Sequence, residues 1–418
     1  MEVLYPDCAG LDVHKRTVVA SACHTTPRGH ATFTQQTFGT TTPELLALQT
    51  WLTEHHVTHV AMEATGSYWK PVYNVLESSF TTWVVNPAHM KQVPGRKTDV
   101  KDATWIADLL RHGLLTPSFI PDQPQRELRE LTRQRVQWIA ERSRDVARIQ
   151  KVLEGANIKL SSVVTDILGV SGRRMLNALV AGTTDPVALA ALADPRLRAT
   201  PALLQSALTG TVGAHQRFLL GQLLAHVDEL AAHITALDVE IAQRLDPERA
   251  RITLLDTIPG IDHRTAEVIL AEIGVDLTRF PDADHLAAWA GLAPGQNESG
   301  GKRRRARTRR GNPALREALV LAAWAASHTK TTFLGALYRR WVRRMPANKA
   351  ITALAHRLLI IVYHVLVSGQ PYQELGPTYH DERDRTRIVH QTVRRLARLG
   401  YRVTLESVQP DGPLPATG

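Results

Sequence analysis

A chain of 418 residues is too long to bury a single ordinary core, so two or three domains are expected. Its net charge of +10 implies a polyanionic partner, because neutralising phosphates releases condensed counterions and drives binding. The two cysteines, Cys8 and Cys23, each lie inside an apolar run, and buried reduced thiols explain them better than a disulfide framework or a zinc site.

No basic-then-apolar signal segment opens the sequence, and the apolar stretch Ile351–Val367 is interrupted by His356, Arg357 and His364. A cytoplasmic, nucleoid-associated protein with no membrane partner is therefore expected.

From Cys8 to Phe38 there are three β-rich runs, Cys8–Val13, Thr17–His24 and His30–Phe38, divided by short polar turns that predict an antiparallel meander. Thr42 or Pro43 then opens a helix through His55, Val57–Met62 is a short apolar strand, Tyr68–Ser78 reads as helix and Thr82–Val85 as strand. Three strands followed by alternating helix and strand is the order of a ribonuclease-H-like α/β sheet. In such a sheet Asp12 ends the first strand and Glu63 ends the fourth, and these strands are neighbours. Asp99 and Asp102, three residues apart, share one face of a helix expected from about Asp99 to Arg111.

Pro121–Pro124 reads as a linker into an all-α region. Leu128, Leu131, Trp138, Ile149 and Leu153 fall roughly on one stripe. Leu223, Val227, Leu230, Ile234, Leu237 and Ile241 alternate steps of four and three, the pattern of a coiled-coil seam. These two long helices can pair with each other or with a second copy, and Ser161–Pro201 between them reads as a smaller helical insert.

Beyond Asp246, the run Leu254–Ile261 followed by Arg264–Ile273 has the form of a helix–hairpin–helix. Its Pro259-Gly260 turn would free backbone amides for a phosphate at a helix N-terminus; a plain helical turn is the alternative. Further helices are expected at Asp284–Ala290, Pro313–Ser327, Phe333–Met345, Lys349–Ser368 and Arg385–Leu399, with a disordered Pro/Gly tail. The domains expected are 1–122, 123–250, 251–370 and a partly disordered 371–418.

Four carboxylates, Asp12, Glu63, Asp99 and Asp102, become useful for phosphoryl transfer if they hold two Mg²⁺ ions, one activating the nucleophile and one stabilising the leaving oxygen. Hard oxygen ligands suit Mg²⁺, with Mn²⁺ as a substitute. Singly, Asp12 could close a turn and Asp99 or Asp102 could cap a helix. An ATP-binding reading of the first strand fails because Asp12 is followed by Val-His-Lys-Arg rather than a glycine-rich turn.

A second candidate is Pro294-Gly-Gln-Asn-Glu-Ser-Gly-Gly-Lys302, which runs into Lys302, Arg303, Arg304, Arg305, Arg307, Arg309 and Arg310, seven cations in nine residues. Charge repulsion disfavours that density unless phosphates come close; a solvated loop is the alternative. Ser299 stands before two glycines. Composition alone makes it a loop serine, whose hydroxyl would need a base or a metal to become a nucleophile.

In their order and spacing, Gly10-Leu-Asp-Val-His-Lys15, Met62-Glu-Ala-Thr-Gly-Ser-Tyr68, Lys97-Thr-Asp-Val-Lys-Asp-Ala103 and Gly291–Gly301 resemble the DEDD transposases of the one-hundred-and-ten class of bacterial insertion sequences, relatives of the Piv DNA invertase. The resemblance implies a RuvC-like N-terminal domain whose metal ligands are Asp12, Glu63, Asp99 and Asp102. It also implies a C-terminal transposase domain in which Ser299 attacks DNA to form a phosphoserine intermediate. Partners implied are DNA (element ends and target), a structured guide RNA, and a homo-oligomer, dimer or tetramer, with composite sites. The family commonly has two adjacent serines where this chain has Asn297-Glu-Ser299, which places the negative charge of Glu298 near DNA. Two other readings fit the same residues: a RuvC-like hydrolytic nuclease of the junction-resolvase type, and a non-catalytic nucleic-acid-binding protein.

Overall fold

The computed structural model describes residues 2–64, 66–87, 102–295, 298–299, 301–303, 308 and 311–405, with 298–299 and 302–303 as backbone. The chain divides into two compact units, Met1–Asp122 and Gln123–Gly418.

The first unit is a five-stranded sheet with helices on both faces. Its strands are β1 (Asp7–Val13), β2 (Thr17–Thr25), β3 (Ala31–Gly39), β4 (His59–Glu63) and β5 (Thr81–Val85), in the order β3-β2-β1-β4-β5. β1 pairs antiparallel with β2 and parallel with β4, and β4 pairs parallel with β5. The expected meander and the neighbouring first and fourth strands are both present. The sheet is mixed because β4 is reached through a helical crossover, α1 (Thr42–Glu54), and β5 through α2 (Trp69–Leu76).

Alternation along the strands separates two cores. Ala9, Leu11 and Val13 of β1 and Val60 and Met62 of β4 face Leu48 and Leu52 of α1 and Val72 and Leu76 of α2. Cys8 and Ala61 point the other way, toward Ile106, Ala107 and Leu110 of α3 (Asp102–Arg111). The described part of that helix begins at Asp102; Asp99, expected to open it, lies outside the described residues.

In the second unit the expected linker is shorter than its prolines suggested. Pro124 is the second residue of α4 (Gln123–Gly155), where a missing amide hydrogen costs nothing because first-turn amides have no helical partner. α4 packs along α9 (Ala214–Arg244). The short helices α5 (Leu160–Val163), α6 (Val170–Ala181), α7 (Pro186–Ala190) and α8 (Pro201–Leu208) form the insert between them. They close a core over Ile149 and Leu153 of α4 and Leu220 and Leu224 of α9.

The seam between the long helices departs from the expected heptad. Leu224 is buried where Leu223 is only half-buried, and α4 contributes Thr132, Arg135 and Asp145 to its buried face. Arg135 is 2% exposed and reaches Asp238 at 3.2 Å and Glu267 at 2.5 Å; Asp145 is 1% exposed and holds Arg148 at 2.6 Å and His226 at 2.7 Å. Charged residues in the middle of a helix pair can be buried only when matched in this way.

A second core gathers α10 (Arg249–Asp256), α11 (His263–Ile273), α12 (Ala283–Trp289), α13 (Pro313–His328), α14 (Phe333–Val342) and α15 (Ala347–Ser368). By length and composition α15 could cross a membrane, but Ile351, Leu354, Leu358, Leu359 and Val362 are packed inside this core. Two further helices follow, α16 (Tyr379–Arg383) and α17 (Arg385–Arg398). The tail expected to be disordered lies, from residue 406 on, outside the described residues.

Candidate active site

Asp12 and Glu63 leave the C-terminal ends of two adjacent parallel strands. Gly10 is opposite Ala61 and Leu11 opposite Met62, so Asp12 and Glu63 are the next residue on each strand. Period-two alternation puts Asp12 on the face of Cys8 and Gly10, and Glu63 on the face of Ala61, which is the side covered by α3. His14 Nε2 lies 3.1 Å from Asp12 Oδ2, and the Asp12 side chain is 28% exposed.

α3 is held against this face by Gly10. A Cβ there would lie 2.1 Å from the Ala103 carbonyl oxygen and 2.4 Å from the Ala107 amide nitrogen, so only glycine allows the approach. The Cys8 thiol donates to the Ala107 carbonyl at 3.5 Å, and the hydroxyls of Ser21 and Thr104 are 3.1 Å apart. Moving along β1 from Cys8 to Gly10 therefore moves along α3 from Ala107 toward Ala103, and the trend leads from Asp12 to the helix start at Asp102. The fold thus puts Asp12 and Glu63 side by side at the end of one sheet face, the face that α3, with Asp102 in its first turn, covers.

Carboxylate oxygens are the donor set of a hard divalent cation. Among the described residues no three His, Cys, Asp or Glu side chains converge closely enough to form a metal group, and Asp99 is outside them.

Beneath α3, Cys8 and Cys23 are direct cross-strand partners, both free and buried, as expected of reduced thiols. The closeness of the two thiols, with the Thr25 hydroxyl beside Cys23, holds Cys23 below the ordinary thiol range, while the same neighbour and burial push Cys8 well above it.

Ser299 is not a loop residue. It ends the two-residue strand β6 (Glu298–Ser299), which pairs antiparallel with β7 (Lys302–Arg303), Ser299 opposite Lys302. Gly301, in the turn, has φ +72°, a left-handed conformation that favours glycine. Arg304, Arg305, Arg307, Arg309 and Arg310 lie outside the described residues.

The segment carrying this hairpin is tied down where it rejoins α13. A Cβ on Gly311 would lie 2.2 Å from the Gly291 amide, so the two ends of the segment touch. Arg316 reaches the Thr308 hydroxyl at 3.2 Å. Asn312 caps α13 by accepting from the Leu315 amide, and its side-chain amide donates to Glu272 at 2.6 Å. Glu272 is wholly buried and takes two further bonds from Arg133, at 2.7 and 2.8 Å. Arg129 lies beside it, where burial brings its guanidinium down to about 10 despite the attraction of Glu272. Nothing in the sequence around Glu272 or Arg133 signals this anchor; the Asn312-Pro313 helix start is its one local sign.

Gly260 serves packing. With φ +90° and a virtual Cβ 2.3 Å from the Ala322 carbonyl, it lets the turn between α10 and α11 lie against α13. The N-terminus of α11 is capped by Asp262, which accepts from the Thr265 amide at 2.8 Å. Burial opposes the charge of Asp262, but its bonds from Thr265 hold the carboxyl below the usual range, so an anion already sits where a phosphate was expected.

Residues 9–158 match a family profile described as a transposase of the DEDD type of IS110 elements, a span that contains Asp12, Glu63, Asp99 and Asp102. Residues 252–339, which include Ser299, match the profile of the transposase IS116/IS110/IS902 family. The pilin gene-inverting protein of Moraxella lacunata is 26% identical over 392 residues, 87% of this chain and 97% of its own length. A probable family 20 transposase of Pseudomonas aeruginosa is 28% identical over 314 residues, covering 73% and 83% of the two chains. The uncharacterized 43.6 kDa protein of insertion element IS110 from Streptomyces coelicolor is 29% identical over 306 residues, covering 68% and 74%. With the two profiles matched in order across more than half of its length, the chain belongs to the IS110 family of transposases.

Proposed function

We propose that this transposase cuts and rejoins DNA by transesterification through Ser299, with Asp12, Glu63, Asp99 and Asp102 as the acidic half of the site. The observation that carries the reading is the placement of Asp12 and Glu63 at the ends of adjacent parallel strands, on the face where α3 begins with Asp102. A two-metal pair of Mg²⁺ ions, or Mn²⁺ in their place, would be held by these acids and would supply charge neutralisation at phosphorus and activation of the attacking hydroxyl.

In the proposed step the Ser299 hydroxyl gives up its proton and its oxygen bonds to phosphorus. The bond from phosphorus to a sugar oxygen breaks, and that oxygen leaves as a hydroxyl with a proton. An incoming strand's hydroxyl reverses the exchange and frees Ser299, so one phosphodiester is traded for another with no external energy. The two glycines after Ser299 would let a DNA backbone approach closely, and Lys302, Arg303 and the cations that follow would balance both the phosphates and Glu298.

The partners proposed are element ends, target DNA and a structured guide RNA. The proposed assembly is a dimer or tetramer in which one copy's acids meet another's serine, as the resemblance to the insertion-sequence transposases implies. The name of the Moraxella relative speaks of gene inversion in that protein, a reaction that also requires cutting and rejoining. The proposed setting is the cytoplasm, on the nucleoid.

The test is to trap a covalent adduct with nicked DNA carrying an element end. Wild-type protein should give a DNA adduct mapping to Ser299, and Ser299→Ala none. Joined products from Ser299→Ala, at wild-type yield and with no adduct in either protein, would sink the proposal; free ends alone would point to water as the nucleophile.

A further inference from the structure

Most of the chain's excess positive charge lies toward its C-terminal end. Between Arg339 and Arg402 there are thirteen basic and four acidic residues, an excess close to the whole chain's +10. Part of this charge lines a cavity. The end of α14 and the turn after it supply Arg339, Arg340, Arg343 and Arg344, and α17 supplies Arg387, around a space of about 470 Å³.

The charges in this cavity are poorly matched. A single carboxylate, Asp384, serves Arg340 at 2.8 Å and Arg387 at 2.7 Å, with Arg383 at 3.9 Å. Asp381 is the one acid among the lining residues. Arg339 donates one nitrogen to the Lys330 carbonyl at 2.7 Å, while its Nη1 and the Nε2 of His380 are buried with no hydrogen-bond partner. Burial and the fields of Arg340 and Arg383 lower the His380 pKa, in keeping with a positive potential. Neither Arg343 nor Arg344 forms an ion pair among the described residues, and both are exposed. Like charges converging on a concave space repel one another unless an anion enters it.

We propose that this cavity seats a backbone phosphate of a nucleic-acid strand, which then runs along α17. Guanidinium groups match phosphate oxygens in pairs, which favours phosphate over a simple counterion. A polymer is indicated over a small phosphate because Arg394, Arg395, Arg398 and Arg402 continue the charge past the cavity. The site uses none of the cations after Ser299 and does not depend on the proposed strand exchange.

Binding is measured by fluorescence anisotropy of 30-nucleotide single-stranded DNA, duplex DNA and an RNA hairpin, with EDTA present so that cutting plays no part. For at least one probe, Arg343→Ala with Arg344→Ala should weaken binding roughly tenfold and flatten the slope of log K against log salt by about two, one per lost phosphate contact. The probe affected identifies the strand as DNA or RNA. Mapping phenylglyoxal modification of the wild type provides a second readout that needs no variant to fold: the same probe should protect Arg343, Arg344 and Arg387. Unchanged slopes for all three probes, or arginines modified equally with and without them, would overturn the proposal. Failure of the adduct experiment at Ser299 would leave it standing.

Discussion

The carbonyl oxygen of Ala103 occupies the space a side chain on Gly10 would need, with a virtual Cβ only 2.1 Å away. The first strand and α3 therefore meet backbone to backbone, and this contact sets the start of α3 at the level of Asp12. Gly10→Ala should push α3 off the sheet and lower stability by a few kcal/mol, as overpacking does. Strand exchange should fall further than the melting temperature of the first unit accounts for. A variant with wild-type activity and melting would show that the contact is loose.

Asp12→Asn and Glu63→Gln keep shape and remove charge. Each should lower DNA cutting at least about 100-fold while leaving the melting temperature within a few degrees of wild type. Chelation with EDTA should abolish cutting but not DNA binding, and added Mg²⁺ or Mn²⁺ should restore it. Gel assays of nicked and joined products check both; cutting that survives EDTA would remove the metal from the mechanism.

The buried anchor at Glu272 gives a stability prediction. Glu272→Ala takes the carboxylate away from Arg133 and from the buried guanidinium of Arg129 beside it, removes the acceptor of the Asn312 side-chain amide, and should cost about 3–5 kcal/mol. Urea unfolding of the second unit measures the loss, and a cost under about 1 kcal/mol would mean that water replaces the carboxylate.

How much could be read in advance varied with the kind of contact. The five strands and the positions of Asp12 and Glu63 were legible because strand alternation and turn residues are local signals. The packing role of Gly10 was not, since the helix it meets is some ninety residues away. Arg135, Asp145 and Glu272 carry no local sign of burial, because an isolated charge in a helical sequence normally faces solvent; only the three-dimensional pairing with Glu267, His226 and Arg133 makes their burial tolerable. The Pro259-Gly260 turn leaves a phosphate site and a plain helical turn equally open in the sequence; what decides the role of Gly260 in packing is the approach of its left-handed backbone to α13, a contact some sixty residues away.

His356 predicts a pH dependence. It lies on α15, where burial, helped by Arg357 and opposed by Asp284, depresses its pKa. Above about pH 6.5 the ring is neutral in both folded and unfolded chains. As pH falls below that value the unfolded chain takes up the proton first, so stability is lost toward the lower folded pKa. His59 and His380 are shifted in the same direction, so His356→Gln should remove only part of the decline in melting temperature between pH 7 and 5. Equal slopes for variant and wild type would place His356 in open solvent.

The long pair α4 and α9 joins two separate cores, one at Ile149 and Leu224 and the other at Leu128 and Ile241. At about 1.5 Å per residue, a helix of 33 residues is roughly 50 Å long, so the pair acts as a spacer of fixed length whose buried ion pairs stop one helix sliding past the other. Removing seven residues from each helix would draw the two cores together by about 10 Å with little change in the face each presents. If the insert grips one stretch of nucleic acid while the C-terminal core works on another, the number of turns in this pair sets how far apart along the substrate those two events occur.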